Sequence, residues 1–593
     1  MFGLFIVYFF WFRPEPPVVE ENIQQDSTKV ITKGEGTSNE PIAVISDSAQ
    51  QEFIKQKFGF FSRFTVGNEK LIGVSTDKFE IEFSNKGGIV SSVMLPEYKS
   101  YDKVADLELV VKEKSKIDIY FDHLSKHISL SDFYFSGEKT ESPDSTVVLY
   151  TLEHDEGILL TQRYTIYPGK YELKYEIISS GFEKLIDAKN LAFSWLFKAN
   201  KIEPNVTDSR MKSTVRYRLS NGEIDYLTAN DSKQEEKLES NISWVAFQQK
   251  YFTTSIFAET PFNSGYITTN VDEGDTTSMK YMSMTTEVPY TSISGEGAIF
   301  KMYFGPNKLE QLQAFANGFD ENLSLGWFVL KWVNKWLIMP IWNFLETFIG
   351  SYAFLIVILV IIIRIILSPL TYKSHISMAK MRVMKPELDE IKEKNNGDMQ
   401  KGQQAQMALY QKVGINPLSG CIPMLLQFPI LVALFYYIPN AIELRQVSFL
   451  WAHDLSTYDS IWDFGFDIPF YGDHVSLFTL LMTGSTLLYT WSNSQMTTVQ
   501  GPMKSLQYIM PVMFLFFFNS YAAGLTYYYF ISNLVSFGQT YLFRTFIDEG
   551  KIRKTLDENK KNNANKKKSK FQLRLEEAMK ASEQAKKKVK KRR

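Results

Sequence analysis

The sequence predicts a multi-domain membrane protein: an α-helical membrane core of five spans with an added N-terminal anchor, and an all-β domain between them. Three observations point there. Long apolar runs are concentrated after residue 350, and short alternating runs broken by turn residues fill positions 58–306. One pole is strongly cationic: residues 551–593 hold 18 Lys+Arg and 5 Asp+Glu, although the whole 593-residue chain carries 65 against 66, a net charge of -1. That balance excludes a globally basic DNA binder. A single cysteine, Cys421, cannot make an intrachain disulfide or a Cys-x-x-Cys pair, and with 6 scattered His no metal site and no cofactor is expected.

Residues 1–13, MFGLFIVYFFWFR, are apolar but shorter than a full crossing, with no basic leader and no small-residue cleavage site. They read as an uncleaved membrane anchor. Residues 14–57 are polar and acidic without periodicity, a flexible linker. From 58 to 306, runs such as FEIEFS, TVVLYTL and YELKYEIIS alternate in the manner of strands, and this length suits one large antiparallel sandwich. It holds no nucleophile elbow, phosphate loop or dense carboxylate cluster, so binding or scaffolding is expected there rather than catalysis. Residues 307–349 are a linker and an interfacial amphipathic helix, in which Trp327, Trp332, Trp336 and Trp342 sit at headgroup level.

The membrane core is expected over 350–546. Ser351 to Leu370 has one charge in about twenty residues, enough to cross roughly 30 Å of hydrocarbon. Further spans read at Cys421–Ile438 and Val475–Trp491, and Ser505–Phe546 divides into two at the turn NSYAAG, 519–524. The loop 371–418 has 8 Lys+Arg against 5 acids, whereas 441–474 has one Arg against 6 acids. Because Lys and Arg near span ends resist export, both termini and the 371–418 loop are placed inside and the β domain outside. That loop reads as two charged helices, Ser374–Lys394 and Asp398–Val413, in a hairpin. Met378, Met381 and Met384 recur at helical spacing on it, suiting either hairpin packing or contact with varied apolar segments. The tail 547–593 is basic and suits polyanions: anionic lipid or ribosomal RNA.

Arg364 lies in IVILVIIIRIILSPL, about 5 Å past the middle of the first long span. An arginine there costs about 2.5 to 3.5 kcal/mol on insertion scales, which demands compensation. Snorkelling would have to cover much of the nine residues, about 13 Å, to Lys373. A water-filled recess open to the inner side, with Gln427, Ser532 and Asn533 as polar neighbours, meets the demand better. A hydrated cation in such a groove shortens the lipid path for acidic or polar segments of another chain. Met424, Phe428, Leu431 and Phe435 at helical spacing, with Tyr528 and Tyr529, offer apolar faces for the rest of that guest, though such stripes also serve plain packing.

The runs SPLTYKSHISMAKMRVMKPEL, YQKVGINPLSGCIPMLLQFPILVALFYYI, ELRQVSFLWAHDLS and GLTYYYFISNLVSFGQTYLFR resemble the YidC-type membrane protein insertases across residues 350–546. FEIEFSNKGGIVSSVMLPEY is similar to the start of the periplasmic domain in Gram-negative members. The resemblance implies an inner-membrane insertase and foldase with a periplasmic supersandwich, not an enzyme. It would receive nascent membrane proteins and release their hydrophobic segments laterally, alone or with the Sec translocon. It implies that Arg364 and Gln427 are groove residues, that Tyr528 and Tyr529 are the family's tyrosine pair on the substrate slide, and that the hairpin is where substrates first arrive. The sequence departs from the family at Val360, where a polar residue is usual, and at Ala522-Ala523 in place of Pro-Ser. Two rival readings are a small-solute transporter, which predicts internal repeats that are not seen, and a membrane-anchored carbohydrate-binding protein in which the sandwich does the work.

Overall fold

The computed structural model describes residues 47–562 except 113, 155–156, 183–189, 230–231, 273, 276, 396–398, 416–421 and 495–501. The expected anchor, most of the linker, Cys421, the side chain of Met424 and the tail beyond 562 lie outside the described residues. The chain divides into two units, Met1–Gly59 and Phe60–Arg593. The described part of the first is a helix, α1 (Asp47–Phe58). Expected as linker, it is helical because SAQQEFIKQKF contains neither Gly nor Pro and is rich in residues that keep rotamer freedom in a helix.

In the second unit the β domain forms three antiparallel sheets. The smallest runs in chain order: β1 (Leu71–Ser75), β2 (Glu80–Ser84), β3 (Ile89–Lys99) and β4 (Asp106–Val110). Six strands make the second, ordered β14 (Lys233–Leu238), β17 (Gly265–Asn270), β18 (Ser278–Pro289), β11 (Asn190–Asn200), β5 (Lys116–His123) and β6 (Lys126–Ser129). The third has nine, starting with β13 (Ile224–Tyr226), β12 (Thr214–Leu219), β15 (Ile242–Gln248), β16 (Phe252–Phe262) and β19 (Ala298–Pro306). It continues through β10 (Glu172–Ser180), β9 (Ile158–Ile166) and β8 (Thr146–His154) to β7 (Ser136–Glu141). Three short helices, α2 (Val206–Met211), α3 (Tyr290–Ile293) and α4 (Leu309–Phe315), connect strands or close the domain.

Alternation along β9, β10 and β11 buries every second side chain, so each strand gives one face to the core. The core between the sheets is aromatic: Tyr175 stacks on Phe300 at 5.6 Å, and Trp195 meets Phe247 edge-on at 5.4 Å. Tyr175 and Phe300 of the nine-stranded sheet share an apolar cavity of about 10 Å³ with Ile119, Leu191, Phe193 and Val288 of the six-stranded one. That volume is close to one water. The small sheet is pinned by its β2–β3 turn, where Gln162 donates to the Gly87 carbonyl and Tyr164 to that of Gly88. Gly88 has φ +64° and a Cβ there would lie 2.6 Å from Gln162 Nε2, so this position requires glycine.

After the sandwich, α5 (Phe328–Val333), a π-helical turn (Asn334–Ile338) and α6 (Met339–Glu346) form one helix. Trp327, Trp332 and Trp336 are exposed, but Trp342 is fully buried against Tyr352 and Tyr437, contrary to the expected belt of four. The reason is angular: the expanded π turn rotates the following residues relative to those before it, and Trp342 ends on the face turned toward Tyr352 and Tyr437. Lys331 and Lys335 pair with Glu321 and Asp320.

The helical region is α7 (Tyr352–Val383), α8 (Lys385–Lys394), α9 (Met399–Val413), α10 (Ile422–Tyr437), α11 (Leu477–Ser494), α12 (Pro502–Phe518), α13 (Ala523–Phe546) and α14 (Glu549–Asn562). Among the described residues only α7 meets the length and hydropathy of a full crossing; Ser505–Phe518 is apolar but shorter. The five-span core and the anchor therefore go beyond what the helix lengths alone establish. The expected first arm of the hairpin is also corrected. There is no break at Ser374: α7 runs on to Val383, because a fall in hydropathy does not stop a helix, and the next arm begins at α8, with Pro386 in its first turn. A strand pair absent from the sequence reading, β20 (Trp462–Ile468) and β21 (Gly472–Val475), precedes α11.

A polar interface joins the β domain to the loop after α10. Arg445 Nε donates to Glu203 at 2.6 Å with both side chains buried, and Lys250 Nζ donates to the Ser456 carbonyl at 3.4 Å. Tyr251 donates to the Pro439 carbonyl and Gln446 to that of Ser100. Ala523 and Gly524, at the start of α13, donate to the carbonyls of Thr457 and Leu455 in the same loop. The β domain thereby fixes one end of both α10 and α13.

Candidate functional site

Helices α7, α10 and α13 converge on Arg364. Its Nη1 donates to Gln427 Oε1 at 3.0 Å, and its Nη2 donates to Ser532 Oγ at 2.7 Å and to the Ser532 carbonyl at 3.4 Å. Arg364 is half-buried as a residue, and Ile365 and Ile366 beside it are exposed aliphatics. Ser532, Ser536 and Gln539 recur at i, i+4 and i+7 on α13, which gives that helix a polar stripe toward α7. Ser536 Oγ donates to the Ser532 carbonyl at 2.5 Å, and Gln539 Nε2 donates to the Arg364 carbonyl at 3.4 Å. Sequence reasoning missed Ser536 and Gln539, although that spacing was there to be read.

Asn533 is not part of this cluster. It donates to Ser485 Oγ at 3.0 Å and Thr486 Oγ1 at 2.8 Å, tying α13 to α11. Adjacent helical residues point about 100° apart, so Ser532 and Asn533 serve different neighbours.

Of the apolar faces, Tyr528 is buried one turn before Ser532. Tyr529 packs on Phe518 at 5.8 Å, and Phe518 in turn meets Phe435 at 6.1 Å. Phe435 also contacts Tyr521 at 5.1 Å, so α10, α12 and α13 share an aromatic cluster toward the β-domain end. Phe428 and Leu431 are partly buried on α10, one residue and one turn beyond Gln427. The side chains that could hold a polar guest thus lie at one level of the bundle, and the aromatic faces lie between that level and the β domain.

Met384 is buried in a separate cluster with Leu388, Tyr410, Val413, Ile415 and Leu556, and Met381 packs against it. Met378 is partly buried. Leu556 belongs to α14, at the start of the stretch expected as a basic tail. Arg553 donates to Glu387 at 2.7 Å and to the Val383 carbonyl at 3.0 Å, and Arg382 pairs with Glu549. The two-helix hairpin is thus completed by a third helix. No group of three or more metal-ligating side chains occurs among the described residues.

Residues 71–340 match the family model described as the YidC periplasmic domain, and residues 344–550 match that of the 60Kd inner membrane protein. The chain is 39% identical over 586 residues to the membrane protein insertase YidC of Amoebophilus asiaticus, covering 98% of this chain and 96% of that one. It is 36% identical over 629 residues to the insertase of the same name from Parabacteroides distasonis, again with 98% and 96% covered. Among solved structures, an active YidC insertase with its first transmembrane domain resolved is similar over 80% of this chain and 93% of that one, at 21% identity and a TM-score of 0.32.

Proposed function

This chain belongs to the YidC family of membrane protein insertases of the bacterial inner membrane, and from that premise we propose that its insertase activity works through a groove built around Arg364. Both termini and the helical hairpin face the cytoplasm, and the β domain is periplasmic. The groove opens to the cytoplasm, so a nascent chain meets the hairpin first and then places its polar, exported segment beside the guanidinium.

One observation carries this reading: a partly exposed arginine within an apolar helix, bonded to two other helices through Gln427 and Ser532. A guanidinium has five N–H donors, and the three acceptor contacts leave others for a guest carboxylate or carbonyl. Its charge is fixed at any physiological pH. A polar segment resting there travels a shorter path through hydrocarbon, and the barrier falls accordingly. The hydrophobic segment of the guest then passes along Met424, Phe428, Leu431, Phe435, Tyr528 and Tyr529 into lipid, with or without the Sec translocon. Met378, on the cytoplasmic end of α7, meets incoming segments, while Met381 and Met384 hold the hairpin against it. The basic tail engages the ribosome and anionic lipid.

The test is insertion of model substrates with acidic exported tails in cells depleted of the native insertase. Arg364→Lys keeps most of the activity and Arg364→Ala loses at least about tenfold, the equivalent of about 1.4 kcal/mol on the barrier. Equal activity of parent, Lys and Ala variants contradicts the reading.

A further inference from the structure

The loop between α10 and α11 carries the β20–β21 hairpin, whose surface nothing above explains. Three large side chains on it face outward: Phe470 is 84% exposed, Trp462 69% and Phe466 64%. An aromatic of this size holds roughly 150 to 250 Å² of surface, so three of them left in water are a substantial penalty. A two-stranded hairpin is marginal by itself. This one is held firmly: Asn519 Nδ2 donates to the carbonyls of Tyr471 and His474 at 2.9 and 2.7 Å, and Ser476 N donates to Asn519 Oδ1 at 3.0 Å. Asp459 accepts from Leu477 N and Phe478 N, capping α11 directly behind the hairpin.

Fixed in this way, the hairpin continues the surface of α12. Phe466 meets Phe464 at 5.9 Å, Phe464 meets Tyr471 at 6.2 Å, and Tyr471 meets Phe516 at 5.5 Å. Phe516 lies on an exposed apolar face of α12 with Ile509, Val512 and Met513. Helix α12 has 17 residues. That is about 26 Å against a hydrocarbon layer of roughly 30 Å, so its apolar surface ends a few ångströms short. The hairpin aromatics stand where that height is missing.

We propose that the β20–β21 hairpin is a membrane-inserted anchor, seated at the headgroup boundary of the periplasmic leaflet with Trp462, Phe466 and Phe470 in contact with lipid. Asp463, Asp467 and Asp473 keep it from sinking further, since carboxylates are costly in hydrocarbon. They also select the lipid: zwitterionic headgroups that carry an ammonium charge suit this rim, and anionic ones repel it. The hairpin thus holds the α11–α12 pair at a set depth beside the groove. The proposal rests on α11 and α12 crossing the bilayer.

Single cysteines made by Phe470→Cys, Phe466→Cys and Val512→Cys in the full chain, each with Cys421→Ser, carry an environment-sensitive fluorophore. The labelled proteins are reconstituted into phosphatidylcholine vesicles containing lipids with a nitroxide just below the headgroup. Labels at 470 and 466 are expected to lose roughly half of their emission to the nitroxide and to respond weakly to aqueous iodide, as an interfacial group does. Label 512 reports the span itself and is quenched by lipid-borne nitroxide. Strong iodide quenching at 470 and 466 with lipid quenching only at 512 overturns the anchor and leaves a water-facing or protein-binding hairpin. Absence of lipid quenching at all three positions overturns it together with the span reading.

Discussion

Ser532 and Asn533 are neighbours in sequence with separate duties, and substitution distinguishes them. Ser532→Ala removes the 2.7 Å acceptor of the guanidinium and is expected to weaken insertion of acidic-tailed substrates severalfold. Asn533→Ala removes bonds to Ser485 and Thr486 and is expected to lower thermal stability by about 0.6 kcal/mol, the average for a polar contact between membrane helices, without changing preference for acidic tails. Reversed effects would mean that the polar stripe on α13 has been misassigned. Arg364 was legible because one charge in an apolar run has a large cost, and Gln427 and Ser532 because polar groups in apolar helices need partners. Asn533 could not be assigned without knowing which neighbour α13 presents to each face. In the β domain, burial alone would raise the Asp208 carboxyl, but Lys250 and Lys212 outweigh it and hold it down to about 2. A depressed carboxylate stabilises above its unfolded value near 3.9 and loses that contribution as pH falls toward 2, a span of about 2 kcal/mol. Melting curves of the detergent-solubilised protein at falling pH check this: Asp208→Asn is expected to flatten the loss over that window, and an unchanged slope would contradict it.

The cytoplasmic hairpin reads from sequence as two arms, yet Leu556 of α14 is buried between them and Arg553 bonds to Glu387. Leu556→Asp places a charge in that cluster and is expected to expose α8 and α9 to limited proteolysis while the β domain stays resistant. Unchanged cleavage would show that α14 does not brace the hairpin. Composition hid this helix, because Lys and Glu dominate it and its few apolar residues look incidental beside the charge. The continuity of α7 was hidden for a different reason. Its residues lose hydropathy after Leu370, but nothing from Thr371 to Val383 breaks a helix. The sandwich was readable from alternation alone; its strand order and the Gly87-Gly88 pin were not, since they depend on pairings between distant residues.

At the scale of the whole molecule, the periplasmic domain and the membrane core are joined by buried charge. Burial pushes the Glu203 carboxyl up while Arg445 and Lys250 oppose it, and the pair remains close. Glu203→Gln leaves Arg445 buried without its counterion, which typically costs about 3 to 5 kcal/mol. The expected result is earlier thermal release of the β domain from the helical region, followed by hydrogen exchange at the loop after α10. Removal of the whole sandwich strips the same contacts, so such a variant is expected to insert substrates with reduced stability. Neither partner stood out in the sequence, because a lone Glu on a loop and a lone Arg 242 positions away become a pair only through the fold. In the proposed groove Arg364 is wet and reachable from the cytoplasm. The most direct measurement is thiol labelling of Arg364→Cys, with Cys421→Ser, by a membrane-impermeant maleimide applied to inverted inner-membrane vesicles. Modification is expected at a rate near that of an exposed hairpin cysteine; a thiol that stays unreacted until detergent is added would rule out a cytoplasm-open groove.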